Sequence, residues 1–213
     1  MAKKRFFFTI VLLLILVFSL GIILGNSLSN PELKEINKII SNSELSTESY
    51  LIEQELFSGF EKNCDLSRIR LSSLSSELWQ LGKLLASPTA QEDLGRYNYN
   101  FLKRKYHLMQ IKTFVLYHQL KEECDPDEKV ILFYFSRNDP DSLEQGKILD
   151  RIVKDFGAHV FAIERAYSSE IVFLEQYYDV SVSPSLIIDY EFKKEGLTSY
   201  DELKKLLVDE NGV

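Results

Sequence analysis

The sequence predicts a mixed architecture: one apolar transmembrane helix at the N-terminus, an α-helical hairpin region behind it, and an α/β domain at the C-terminal end. Three observations point there. Positions 6–24 contain neither a charge nor a proline. From about 30 to 123, apolar residues recur at helical spacing. From 130 onward, short β-rich apolar runs alternate with amphipathic ones. The expected divisions are 1–25, 26–124 and 125–213.

At the helical rise, the run 6–24 would extend roughly 28 Å, close to the thickness of a bilayer's hydrocarbon core. Lys3, Lys4 and Arg5 precede it, and no acidic residue occurs before Glu32. The positive-inside tendency then predicts a single-pass signal-anchor in the cell membrane, with a cytoplasmic N-terminus and an extracytoplasmic C-terminal domain. A cleaved signal peptide is the alternative. Its apolar core is ordinarily about 7–15 residues long, and Gly25, Asn26, Ser27, Leu28 and Ser29 offer small residues after the run. The length of the core favours a retained anchor, which makes the membrane an expected partner.

The chain has 25 basic and 32 acidic residues. Without Lys3, Lys4 and Arg5 the balance is 22 against 32, about −10. Such a charge gives no footprint for phosphate backbones, so nucleic acid is not an expected partner. Two cysteines, Cys64 and Cys124, do not make a disulfide-dense scaffold. There is no internal repeat and no low-complexity tract.

In the helical region, Asn30-Pro31 reads as an N-cap followed by proline at the first helical position. A short helix over 31–40, a polar break at Ser41-Asn42-Ser43 and a second helix over 47–61 are predicted, the last carrying Tyr50, Leu51, Leu56, Phe57 and Phe60. Asp65 caps a third helix, in which Leu71, Leu74, Leu78, Leu81 and Leu85 recur at steps of 3 and 4, a coiled-coil type of seam. Ser87-Pro88 ends it. Thr89 and Glu92 form a capping-box pattern opening a helix that reaches about 123 and weakens near Gly95. In that helix Phe101, Leu108 and Val115 fall seven apart, with Leu102, Met109 and Leu116 beside them. Two apolar stripes and a short connection predict an antiparallel hairpin.

The period changes after Cys124. Positions 130–135 read as a buried strand and 143–156 as an amphipathic helix. A strand at 159–163, a helix at 171–178, a strand entered through 182–188, a short edge strand near Phe192 and a terminal helix at 200–208 follow.

In this order the elements resemble the thioredoxin-like superfamily over about 129–208. A buried strand ending in Phe135-Ser136 runs into a helix. Ser183-Pro184 precedes a strand, where the family places a cis-proline. Gly196 lies near the last strand, and a short amphipathic helix closes the domain. Members that carry out dithiol chemistry have Cys-x-x-Cys at the start of the first long helix. The matching positions here are Asp139, Pro140, Asp141 and Ser142, so composition excludes dithiol oxidoreductase activity from this site. A helix N-terminus favours negative charge, and Asp139, followed by proline, supplies a capping carboxylate where the active proteins stabilise a thiolate.

The resemblance implies a redox-inactive interaction or scaffold module that binds an extended peptide beside the cis-proline loop. Its contacts would be Val182, Ser183, Pro184 and Ser185, with Tyr134 or Arg137 near the groove. A purely structural turn at Ser183-Pro184 remains open. The alternative, from the enzyme class, is a membrane-tethered thiol–disulfide oxidoreductase using Cys64 and Cys124. These cysteines flank the hairpin. Its helices, taken as unbroken, differ by nearly 20 Å in length, yet a bond needs Cα atoms within about 7 Å. If 87–100 is mostly turn, the sulfurs can meet. A structural disulfide, separate thiols and a redox pair are the three readings.

His107 and His118 stand about 16 Å apart along one helix, too far to share a metal, and His159 falls at a strand entrance. Gly-x-Ser-x-Gly, phosphate-loop and dinucleotide motifs are missing from the sequence. No metal, no cofactor and no catalytic residue is therefore expected.

Overall fold

Burial of one helix on two sides organises this fold. The computed structural model describes residues 2–27, 31–57 and 64–209, with side chains in the first two helices described at 8, 10–22, 34–45 and 47–49. The elements are α1 (Ala2–Ser27), α2 (Pro31–Phe57), α3 (Cys64–Ala86), α4 (Ala90–Leu94), α5 (Arg96–Glu123), β1 (Val130–Phe135), α6 (Pro140–Phe156), β2 (His159–Glu164), α7 (Val172–Tyr177), β3 (Ser185–Ile188), β4 (Phe192–Glu195) and α8 (Tyr200–Asp209).

Among the described residues, no helix is long and apolar enough to cross a membrane. This overturns the expected transmembrane helix at 6–24 and, with it, the single-pass anchor and the division into cytoplasmic and extracytoplasmic parts. The fold class is corrected to a mixed α/β protein built on a four-stranded sheet.

The sheet order is β2-β1-β3-β4, with β2 parallel to β1 and both β3 and β4 antiparallel to their neighbours. Alternation along β1 sends its side chains to two faces. Ile131 and Phe133 meet Leu149 and Ile152 of α6 and Leu203 and Leu207 of α8. Val130, Leu132 and Tyr134 meet Ile111, Phe114 and Tyr117 of α5 together with Ile171 and Leu174 from the α7 region. The result is three layers, α/β/α, and β1 at its centre is buried on both sides, which is why it reads as an unbroken apolar run.

Helices α2, α3, α4 and α5 enclose a second cluster that includes Ile36, Ile40, Leu74, Leu78, Leu81, Leu85, Leu102 and Met109. The break expected at Ser41-Asn42-Ser43 is not there, and α2 continues through it. Ile36, Ile40, Ser43 and Thr47 form one buried stripe at steps of 4, 3 and 4. Its polar members are satisfied: the Ser43 hydroxyl donates to Glu77 Oε2 at 2.8 Å, and Thr47 Oγ1 donates to the Ser43 carbonyl at 2.7 Å. The Asn30 cap lies outside the described residues, as do the side chains of Tyr50, Leu51, Leu56, Phe57 and Phe60.

The capping box at Thr89 and Glu92 does not form. Thr89 is already near-helical (φ −92°, ψ −11°) and makes no side-chain cap bond. Its hydroxyl instead lies 3.3 Å from that of Ser87. Gly95, at φ 73° and ψ 145°, separates α4 from α5, a backbone conformation that only glycine adopts cheaply.

With that break the hairpin arms are 23 and 28 residues long, and their open ends meet. Cys64 and Cys124 form a disulfide with Cα atoms 5.5 Å apart, and no cysteine is free. Arg68 Nη2 donates to Asp125 Oδ2 at 2.7 Å beside it. The bond closes a loop of 60 residues in sequence separation, for which chain entropy gives about 4 kcal/mol of stabilisation. Urea unfolding of the Cys64→Ala/Cys124→Ala variant should show a loss of that order relative to the oxidised protein. Equal midpoints would contradict it.

Candidate functional site

The candidate site forms where the β1–α6 turn, the β2–α7 turn and the segment entering β3 converge. Asn138 takes the left-handed region (φ 64°), which asparagine tolerates better than most residues, and so turns the chain from β1 into α6. Asp139 caps α6: its Oδ2 accepts from the Ser142 N–H at 2.9 Å and from Ser142 Oγ at 2.5 Å, with Pro140 in the first turn. The Ser142 side-chain bond, above all, holds the Asp139 carboxyl below its ordinary range. Ser142 Oγ in turn accepts from the Ser136 N–H at 3.1 Å. The carboxylate is thus committed to the helix terminus, and Asp141 is exposed beside it.

The 182–185 segment is tied to the same turn. Ser183 Oγ accepts from Ser136 Oγ at 3.0 Å and from Arg165 Nε at 3.2 Å. Ser185 Oγ donates to the Val182 carbonyl at 2.9 Å, and the Gly196 N–H donates to the Pro184 carbonyl at 2.8 Å. The Ser183–Pro184 peptide bond is cis. Val182 is 43% exposed, whereas Pro184 and Ser185 are buried. Among the described residues, neither the N–H nor the C=O of Ser183 has a hydrogen-bond partner. The structure therefore brings 139–142 and 182–185 together through Ser136. Arg165 is the brace, and it is not legible in the sequence, since one arginine after a strand carries no signal.

Of the two residues expected near the groove, Tyr134 is fully buried and its hydroxyl has no hydrogen-bond partner among the described residues. Burial, and then Glu175 and Tyr178, push its pKa far above the ordinary phenol value. Arg137 is exposed; its Nη2 donates to the Tyr99 hydroxyl at 2.5 Å, and its guanidinium lies 5.4 Å from the Tyr99 ring centre. Behind it, buried Lys103 pairs with Glu164, to which Arg137 also lies within 3.8 Å. Burial pulls the Lys103 pKa down, and Glu164 opposes that shift.

The disulfide lies elsewhere. Tyr99 is near the first turn of α5 and Cys124 follows the last, a separation of about 37 Å along the helix. A cleft of about 770 Å³ lies between α3, α5, α6 and β2, lined in part by Trp79, Tyr106, Val153 and Val160, and it touches none of 139–142 or 182–185. Among the described residues no group of three His, Cys, Asp or Glu could hold a metal ion. His159 pairs with Glu128 at 2.7 Å and His118 lies 3.6 Å from Glu122.

No family model matches the chain, and no curated protein matches it. A solved structure described as that of a malarial protein is similar at 17% identity, over 40% of this chain and 99% of that one, with a TM-score of 0.33. Such a likeness assigns neither fold nor function.

His107 differs from the satisfied or surface histidine that its position suggests. It is fully buried, both ring nitrogens are without hydrogen-bond partners among the described residues, and it sits between Tyr106 and Tyr167. Burial, assisted by Lys103, lowers its pKa to about 3 from 6.5. Below about pH 6.5 the unfolded chain protonates this histidine and the folded protein does not. The stability is therefore complete above that pH and is lost as pH falls from there towards 3. Denaturant titrations between pH 7.5 and 4 should show an acid limb of up to about 1.4 kcal/mol per pH unit from this residue. The His107→Leu variant should flatten the limb by that amount, and identical slopes would refute the assignment.

Proposed function

We propose that residues 129–208 act as a thiol-free, thioredoxin-like module that binds extended protein segments at Val182–Ser185, in an interaction or scaffold role without redox chemistry. The carrying observation is the unoccupied backbone of Ser183, held in place by two side-chain hydrogen bonds to its own Oγ and flanked by exposed Val182. An N–H and a C=O presented on one residue at a strand entrance suit strand addition, in which main-chain bonds give affinity and neighbouring side chains give selectivity.

The sheet order and the position of the α6 terminus beside the loop support the reading, because they set Ser183 at a junction of three turns rather than along a paired edge. Binding of this kind requires no thiol. The chain's two cysteines are bonded to each other far from the loop, where they brace the hairpin.

A photo-crosslinking amino acid placed at Val182 tests the proposal. Incubated with a randomised pool of extended nonapeptides, the protein should become crosslinked at 182 and not at a control probe replacing Trp79 on the distant cleft. Capture at neither position, or equally at both, would refute binding at the loop.

A further inference from the structure

The loop cluster sets four cations, Lys103, Arg104, Arg137 and Arg165, among five carboxylates, yet one of the cations has no ion-pair partner among the described residues. Asp139 is bound by Ser142. Glu164 is shared by Lys103 and Arg137. Glu170 pairs with Arg104 at 3.2 Å, and Glu175 accepts from the Ala166 N–H at 2.8 Å. Asp141, exposed on the first turn of α6, forms no ion pair among the described residues. Arg165 is left over. Its backbone N–H continues the strand pairing to the Phe135 carbonyl at 2.9 Å, its Nε is bonded to Ser183 Oγ, and among the described residues it has no carboxylate partner.

An arginine carries five N–H donors in a planar fork. The Nε bond fixes the plane of the guanidinium against Ser183 and leaves the four donors on its two terminal nitrogens. A fork held in that way is preorganised for a carboxylate, since much of the side-chain entropy that an ion pair would cost is already lost. Its anchor is the side chain of the very residue whose backbone N–H and C=O are open. A segment bonded to that backbone would therefore pass beside the fork.

We propose that Arg165 makes the Ser183 edge selective for an extended protein segment that presents an aspartate or glutamate side chain at the position facing it. This rests on the peptide-binding reading above and adds the chemistry of the partner. The chain itself is acidic, at −7, so the attraction is local and acts at contact distance, where a charge-assisted bidentate pair is about twice as strong as neutral bonds.

The probes are two pools of fluorescein-labelled nonapeptides with randomised flanks, one with glutamate and the other with glutamine at the centre. Binding to the full chain is read by fluorescence anisotropy at low salt. The glutamate pool should bind about tenfold more tightly. Arg165→Gln should abolish the difference between the two pools, whatever losing the Ser183 brace costs both alike, while Arg165→Lys should keep part of the preference. Should Arg165→Gln fail to fold by circular dichroism, the unmodified chain still decides: its preference must shrink as salt is raised. Equal binding of both pools would overturn the acidic selectivity and leave the groove intact. Binding of neither pool would overturn both.

Discussion

Everything in the described structure leans on α5 being buried along two adjoining stripes. Leu102, Met109 and Leu116 form one, and the first two pack among the helices. Lys103, Gln110 and Tyr117, one residue further round at the same spacing of seven, form the other and face β2. Lys103 pairs with Glu164, the Gln110 Oε1 accepts from the Ala162 N–H at 3.1 Å, and the Tyr117 ring lies 4.2 Å from His159 and 5.7 Å from Phe161. From 103 to 117 α5 rises about 21 Å, and from 159 to 164 the strand rises about 17 Å, so the two run alongside each other in opposite directions. The stripe also deals with the exposed edge that β2 would otherwise present, because a side-chain amide occupies an outward-facing backbone donor.

This pairing has a consequence for the candidate site. Lys103 and Tyr99 lie in the first two turns of α5, and from there they hold Glu164 and Arg137, which flank the turns around Ser183. The α/β layers and the helical hairpin therefore share a core that is continuous across 124 and 125, with Leu71 of α3 packed among residues of β1 and β2. The disulfide closes the far end of the same helix. The site at one end and the covalent staple at the other are joined by a rigid rod.

The sequence made much of the α/β part legible because its signals are local. A fully buried central strand shows as an apolar run, and Asp139-Pro140 shows as a helix start whose cap does form. The phase of α5 differs from the expected one for a physical reason. Phe101, Leu108 and Val115 gave the expected stripe, yet they are 43%, 37% and 47% exposed. The buried partners of the Leu102 stripe are Lys103 and Gln110, polar residues whose burial makes sense only once Glu164 and the Ala162 N–H are known to face them. Ser43 and Thr47 hid the continuity of α2 in the same way. Arg165 and His107 were illegible as well, because their meaning comes from groups far away in the chain. For the run at 6–24, hydropathy alone led to a membrane span that the described helices do not supply.

The central claim is that α5 joins the hairpin and the sheet into one cooperative unit. Native-state hydrogen exchange in increasing denaturant tests it directly. The amides of Leu78 in α3, Met109 and Leu116 in α5, and Leu132 and Ile163 in the sheet should merge into a single isotherm at the free energy of global unfolding. A separate isotherm in which the α3 and α5 amides open at distinctly lower free energy than those of β1 would show two independent units and contradict the account.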